Sequence, residues 1–170
     1  MKIDHKDYCT HINNKEDKDV LTRPLFDVNM RLLKSSPQYR EIINSVCNYL
    51  IWWATTPKDG YKYPHGVSGA NAGIPFNIIC INRGKVPVIM INPKITRRYG
   101  YKIESFSNCG SLTLEEPIKI YRDEFIDFNY YDLKGNMYYE DEVGRGQQGL
   151  TIQHEVEHNL GILILDKTKY

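Results

Sequence analysis

At 170 residues, with 41% hydrophobic and 25% charged side chains, the chain has the size and make-up of one globular domain with a sizeable core. A formal net charge of +1 gives no electrostatic case for a nucleic-acid partner, no apolar stretch is long enough to span a bilayer, and the polar start Met1-Lys-Ile-Asp-His-Lys-Asp7 is no secretion signal. The expectation is a cytoplasmic protein, where a reducing environment argues against pairing among Cys9, Cys47, Cys80 and Cys109.

Residues 1–19 are polar and lack periodicity, which predicts a loosely ordered arm. His5, Cys9 and His11 within it read as incidental ligand types on solvated chain. Residues 20–170 are expected to form a single domain. Between Ser36 and Thr55, the residues Tyr39, Ile42, Ile43, Val46, Leu50 and Trp53 recur at helical spacing and predict a long amphipathic helix, with Cys47 beside its apolar stripe. Pro57, Gly60 and Pro64 mark a loop.

Phe76-Asn-Ile-Ile-Cys-Ile81 and Val86-Pro-Val-Ile-Met-Ile91 are short β-branched runs divided by Asn82-Arg-Gly84, so they predict two strands, with Cys80 as buried packing. Ser105-Phe-Ser-Asn-Cys-Gly-Ser111 is a turn-rich stretch of small residues. Further strand follows from Leu112 to Glu140, where Phe125, Phe128, Tyr130 and Tyr131 are interspersed with polar residues and Asp132-Leu-Lys-Gly-Asn136 has hairpin-turn composition. A closing helix starts after Gly146. The class is therefore α+β: a long N-terminal helix, mixed and mainly antiparallel strands, and a C-terminal helix that carries metal ligands.

Those ligands are the histidines of His154-Glu-Val-Glu-His158, framed by apolar residues from Leu150 to Ile164. Histidines four apart on a helix sit about 40° apart around its axis, so both imidazoles leave one face and can share a divalent ion. Glu155 then lies beside any water the ion activates and can accept and return its proton. A catalytic site needs a third protein ligand. By position and composition Cys109 is the leading candidate, since a thiolate in a small-residue loop can approach a metal freely. His65 in Tyr63-Pro-His-Gly66 is the rival, and an inert thiol at position 109 is equally open.

The order of a glycine-rich segment, a strand ending in Ile91-Asn-Pro-Lys-Ile95, a lone cysteine and Gln153-His-Glu-x-x-His-x-x-Gly161 resembles the peptide deformylase family. The likeness runs from about Leu21, where Thr22-Arg-Pro24 echoes the family's early segment, to the C-terminus. Gly66-Val-Ser-Gly-Ala-Asn-Ala-Gly-Ile-Pro75 resembles the first motif, with Asn71 where the family has glutamine. Ser107-Asn-Cys-Gly-Ser111 keeps the cysteine and serine of the second, with Ser107 for glutamate and Gly110 for leucine. In the third, Glu157 stands for a usual aspartate.

The resemblance implies removal of the formyl group from N-formylmethionyl peptides of nascent proteins. Cys109, His154 and His158 would hold the ion, Fe(II) by family habit, with zinc, nickel or cobalt as replacements. A metal-activated hydroxide would attack the formyl carbon while Glu155 serves as general base and then general acid. The oxyanion would be met by the Asn71 side chain and the Gly110 N–H. Gly66 with its neighbours His65 and Val67 would bind substrate, its backbone added like a strand beside theirs. Asparagine is one methylene shorter than glutamine, so a slow enzyme is expected unless the backbone moves closer. Two alternatives remain: an amide hydrolase of altered specificity, signalled by His65 and Asn71, or a silent metal-binding relative, which the presence of Glu155 disfavours. The chain ends at Tyr170, soon after the metal helix, so a monomer that meets nascent chains without a ribosome-docking tail is expected.

Overall fold

In the computed structural model, which describes residues 21–56, 65–84, 86–112, 116–144 and 146–168, an antiparallel sheet of five strands in the order β1-β2-β3-β4-β5 organises the fold. The strands are β1 (Gly66–Ser68), β2 (Ile78–Arg83), β3 (Val86–Ser107), β4 (Ile118–Tyr131) and β5 (Met137–Val143). Helices α1 (Met30–Ser35) and α2 (Pro37–Thr55) precede the sheet, and α3 (Gln147–Asn159) with a 3₁₀ turn (Ile164–Lys167) follows it. The α+β class is as expected; the sheet has no parallel neighbours, and the parallel element is one isolated bridge between Phe26 and Phe76.

Helix α2 matches the periodic segment. Ser36 caps it by accepting from the Tyr39 N–H at 3.3 Å, and Pro37 fits its first turn because a proline lacks only an N–H that would be unpaired there. Helix α1 was not anticipated, since six residues are too few to show a period. The Asn29 side chain starts it, accepting from the N–H groups of Arg31 and Leu32 at 3.1 Å each.

Strand β2 explains its own unbroken apolar run. Ile78 and Cys80 join the cluster formed with Ile43, Val46, Cys47 and Leu50 of α2, whereas Ile79 and Ile81 join Ile152 and Val156 of α3. With a helix on each face, neither side of the strand can be polar.

Strand β3 is longer than the sequence indicates. Instead of stopping near Ile95 it runs to Ser107, so Ser105–Ser107, read as part of a turn, pair with Ile118–Ile120 of β4. Register shifts at Ile91/Lys94, Ile95/Arg97 and Tyr99/Lys102 break the two-residue alternation and hide the strand. Asn92, at φ 51°, marks the first shift, and its amide clasps the backbone of Val28 at 2.7 and 2.9 Å. The arm expected over 1–19, with His5, Cys9 and His11, and the loop of Pro57, Gly60 and Pro64 lie outside the described residues. Among the described residues no helix is long and apolar enough to cross a membrane.

Candidate metal centre

Helix α3 is buried over most of its circumference, so its polar residues must find partners inside the protein. Gln153 acts as a substitute strand: its Oε1 accepts from the Asp123 N–H at 3.1 Å and its Nε2 donates to the Asp123 carbonyl at 2.9 Å. At the far end, Asn159 Nδ2 donates to Asn77 Oδ1 at 3.0 Å and to the Ile78 carbonyl at 3.2 Å. The helix stops at Gly161, whose φ of 76° lets Gly161 and Ile162 donate back to His158 and Glu157. A Cβ at 161 would also lie 2.5 Å from the Thr22 carbonyl, so the glycine serves both the turn and a close approach.

So anchored, α3 directs His154 and His158 toward the loop that bears Cys109. The two Nε2 atoms are 3.1 Å apart, and Cys109 Sγ is 3.1 Å from His158 Nε2. Their ligand atoms all lie within 4.8 Å of one another, the one such cluster of three or more metal-type donors among the described residues. His65 is exposed and outside the cluster, its carbonyl accepting from the Asn82 N–H at 2.9 Å. Of the two candidates for the third donor position, Cys109 is the one that lies with the histidine pair.

The electrostatics of the cluster favour a cation. Burial pushes the Cys109 thiol up to about 11, although hydrogen bonds from Ser111 and Leu112 pull it down. Burial also pushes His158 down to about 4, helped by the Arg122 charge, and holds His154 well below its ordinary value together with His158 and Arg122. Neutral donors therefore crowd their lone pairs around one point, and His158 Nδ1 is buried without a hydrogen-bond partner. A divalent ion fits this set: a thiolate and two neutral imidazoles are the donors such ions take, and the ion's charge keeps the thiol deprotonated.

Glu155 lies one position from His154, buried, with its Oε2 free of hydrogen-bond partners. Burial raises its carboxyl to about 8, against the opposing pull of the Arg122 charge and a hydrogen bond with Ser68. Behind the cluster, the buried Arg122 guanidinium pairs with Glu157 and contacts His154 Nδ1 at 3.2 Å. Arginine can only donate, so this contact is a hydrogen bond when the neutral ring bears its proton on Nε2. Turning the Nε2 lone pair to a metal moves the proton to Nδ1, and Glu157 must then hold Arg122 by itself. Glu157 is also approached by two further cations, Lys167 at 3.1 Å and Arg98 at 3.6 Å.

The remaining sequence candidates surround this core. Gly66 opens edge strand β1, and a Cβ there would lie 2.7 Å from Thr151 Cγ2 and 2.9 Å from Glu155 Cγ. Val67 is fully buried beside it. The Asn71 amide is buried and tied to two serines, accepting from the Ser68 N–H at 3.0 Å and donating to Ser111 Oγ at 2.6 Å. Gly110 is exposed on the loop, with open space where a side chain would stand. Ser68, Arg122 and Gln153 as the helix's anchor were not singled out from the sequence; of these, only Gln153, directly before the first histidine, carried a local signal.

A family profile described as polypeptide deformylase matches residues 61–170, a span that contains every residue of this centre. The chain belongs to the polypeptide deformylase family. The peptide deformylase of Dictyoglomus turgidum is 35% identical over 103 residues, covering 60% of this chain and 64% of that protein. That of Dictyoglomus thermophilum is 32% identical, with the same coverage. The match thus spans less than two thirds of these curated relatives' length. Among solved structures, peptide deformylase from Thermotoga maritima gives a TM-score of 0.71 at 21% identity, covering 96% of this chain and 98% of that one. The actinonin-bound class I type b deformylase from Acinetobacter baumannii gives 0.67 at 22% identity, covering 89% and 92%. The deformylase fold therefore takes in α1 and α2 as well as the segment matched by the profile.

Proposed function

We propose that the protein is a metal-dependent hydrolase that removes the N-formyl group from N-formylmethionyl peptides. The observation that carries this reading is the convergence of Cys109 Sγ with the imidazoles of His154 and His158, next to the buried carboxyl of Glu155. The reading draws further support from the deformylase profile and from the Acinetobacter baumannii enzyme, which was solved with Met-Ala-Ser bound. Cys109, His154 and His158 hold the ion in this reading, with Fe(II) as the native metal and zinc, nickel or cobalt as replacements. When bound, the ion supplies Lewis acidity that polarises a carbonyl and lowers the pKa of water.

The chain's own residues supply the rest. Glu155 takes the proton of the attacking water and delivers it to the departing amine, a role open to it because it lies beside His154 with Oε2 free of hydrogen-bond partners. The second Nδ2 hydrogen of Asn71 and the Gly110 N–H meet the developing oxyanion. Gly66 presents its N–H and C=O to the substrate backbone. The ladder bonds on either side are consistent with this, since Asn82 donates to the His65 carbonyl and Gly69 donates to the Ile78 carbonyl. In an antiparallel ladder, residues 66 and 68 then face away from β2. In this reading His65 and Val67 flank that edge on either side of Gly66.

The test is formate release from a formyl-Met peptide by metal-loaded protein purified without oxygen. Glu155→Ala is expected to lower turnover by about 10²–10⁴-fold while elemental analysis finds the metal retained. No formate from wild-type protein with its metal bound would overturn this reading; hydrolysis of other N-acyl peptides in its place would mark altered specificity.

A further inference from the structure

Asn71 sits where the family resemblance calls for a longer amide, and the structure shows what its shorter side chain is fastened to. Asn71 Oδ1 accepts twice from a single residue, from the Ser68 N–H at 3.0 Å and the Ser68 hydroxyl at 2.5 Å. The Asn71 N–H in turn points to Ser68 Oγ at 3.3 Å, closing a compact ring over residues 68–71. On the other side Nδ2 donates to Ser111 Oγ at 2.6 Å, and Ser111 in turn hydrogen-bonds the Cys109 sulfur. All three residues are buried: Ser68 at 0%, Ser111 at 2% and Asn71 at 7% exposure. With Oδ1 and one Nδ2 hydrogen held, the amide cannot rotate, and the second Nδ2 hydrogen is uncommitted among the described residues.

We propose that Ser68 is a positioning residue: by gripping Asn71 Oδ1 with its N–H and hydroxyl, it aims the carboxamide at the Cys109–Gly110 loop and so makes up for asparagine's shorter reach. The proposal rests on the hydrolytic reading for its catalytic consequence but not for the geometry. A free asparagine amide would sample both orientations, and half of them would turn an oxygen lone pair toward a developing negative charge. Fixing the Oδ1 end removes that half.

The test uses the full chain, zinc-loaded and metal-free, with Ser68→Ala, Asn71→Ala and the double variant. Hydrogen exchange of the Asn71 side-chain amide, followed by NMR, is expected to speed up at least about tenfold in S68A, while the Gln153 side-chain amide is unchanged. In the formate assay, S68A should lower kcat about tenfold with KM nearly unaltered. In the N71A background it should cause no further loss, because the two residues act as one unit. Should S68A melt too low to assay, Ser68→Cys fills the site with a slightly larger and weaker hydrogen-bonding group and must show the same changes. Asn71 exchange that matches wild type in these variants would overturn the proposal whatever the activity, as would losses that multiply in the double variant. Slowed Asn71 exchange that depends on Ser68, in a protein releasing no formate, would overturn the hydrolytic reading and leave the positioning role standing.

Discussion

A methyl group at position 66 has nowhere to go: its nearest neighbours would be Thr151 Cγ2, Glu155 Cγ and Ile81 Cδ1, all within 2.9 Å. Gly66→Ala must therefore push α3 away or turn the Glu155 side chain. A shift of about 1 Å in such a group lowers rates on the order of a hundredfold. G66A is thus expected to lose about that much turnover and about 1–3 kcal/mol of stability while keeping its metal, as judged by formate assay, urea unfolding and elemental analysis. Full activity in G66A would show that Glu155 is not held from this side. The histidine pair was legible in the sequence because helical spacing alone decides which side chains share a face. Nothing local could reveal that Gly66 abuts the Glu155 side chain 89 positions later, or that Thr151 would close the same space. Those facts depend on how β1 meets α3, and single residues carry no trace of it.

Between elements, buried charge does what apolar packing does elsewhere. Glu157 of α3 and Arg122 of β4 are 3% exposed each, and removing one partner leaves the other as an uncompensated buried charge. Glu157→Gln is expected to lower stability by about 3–5 kcal/mol in chemical denaturation, and to weaken metal binding about 10–100-fold in a competition titration. An unchanged midpoint would mean that the Arg122–Glu157 pair contributes nothing to stability. Asp123 binds β3 to β4 in a wetter setting. Burial alone would raise its carboxyl, but hydrogen bonds and charge from Lys102 and Arg98 outweigh it and leave the pKa lowered. A lowered folded pKa means stability that is full above the unfolded value of about 3.9 and fades as pH falls below it. Asp123→Asn should therefore narrow the gap in unfolding midpoint between pH 6 and pH 3; an identical acid limb would refute it. Element α2 could be read from spacing because it pays its apolar stripe to a single face, whereas β3 could not, since three register shifts scramble its alternation.

Across the whole molecule, the centre is assembled from distant stretches of chain. Thr22 and Leu25 meet the end of α3, β1 lies against its flank, the Cys109 loop closes over its histidines, and the helix itself comes after the entire sheet. Added zinc should raise the melting temperature of wild type but not of Cys109→Ala; at a hundred times its dissociation constant a ligand contributes about 2.7 kcal/mol. An equal shift in both proteins would place the ion elsewhere. Such far-flung partners also set an order of events. The sulfur lies 49 residues before His158, with β4 and β5 between them, so the donors are expected to meet late, after those strands pair. The ion is then a latch fitted to a finished door: it should slow the rate of opening while leaving the rate of closing as it was.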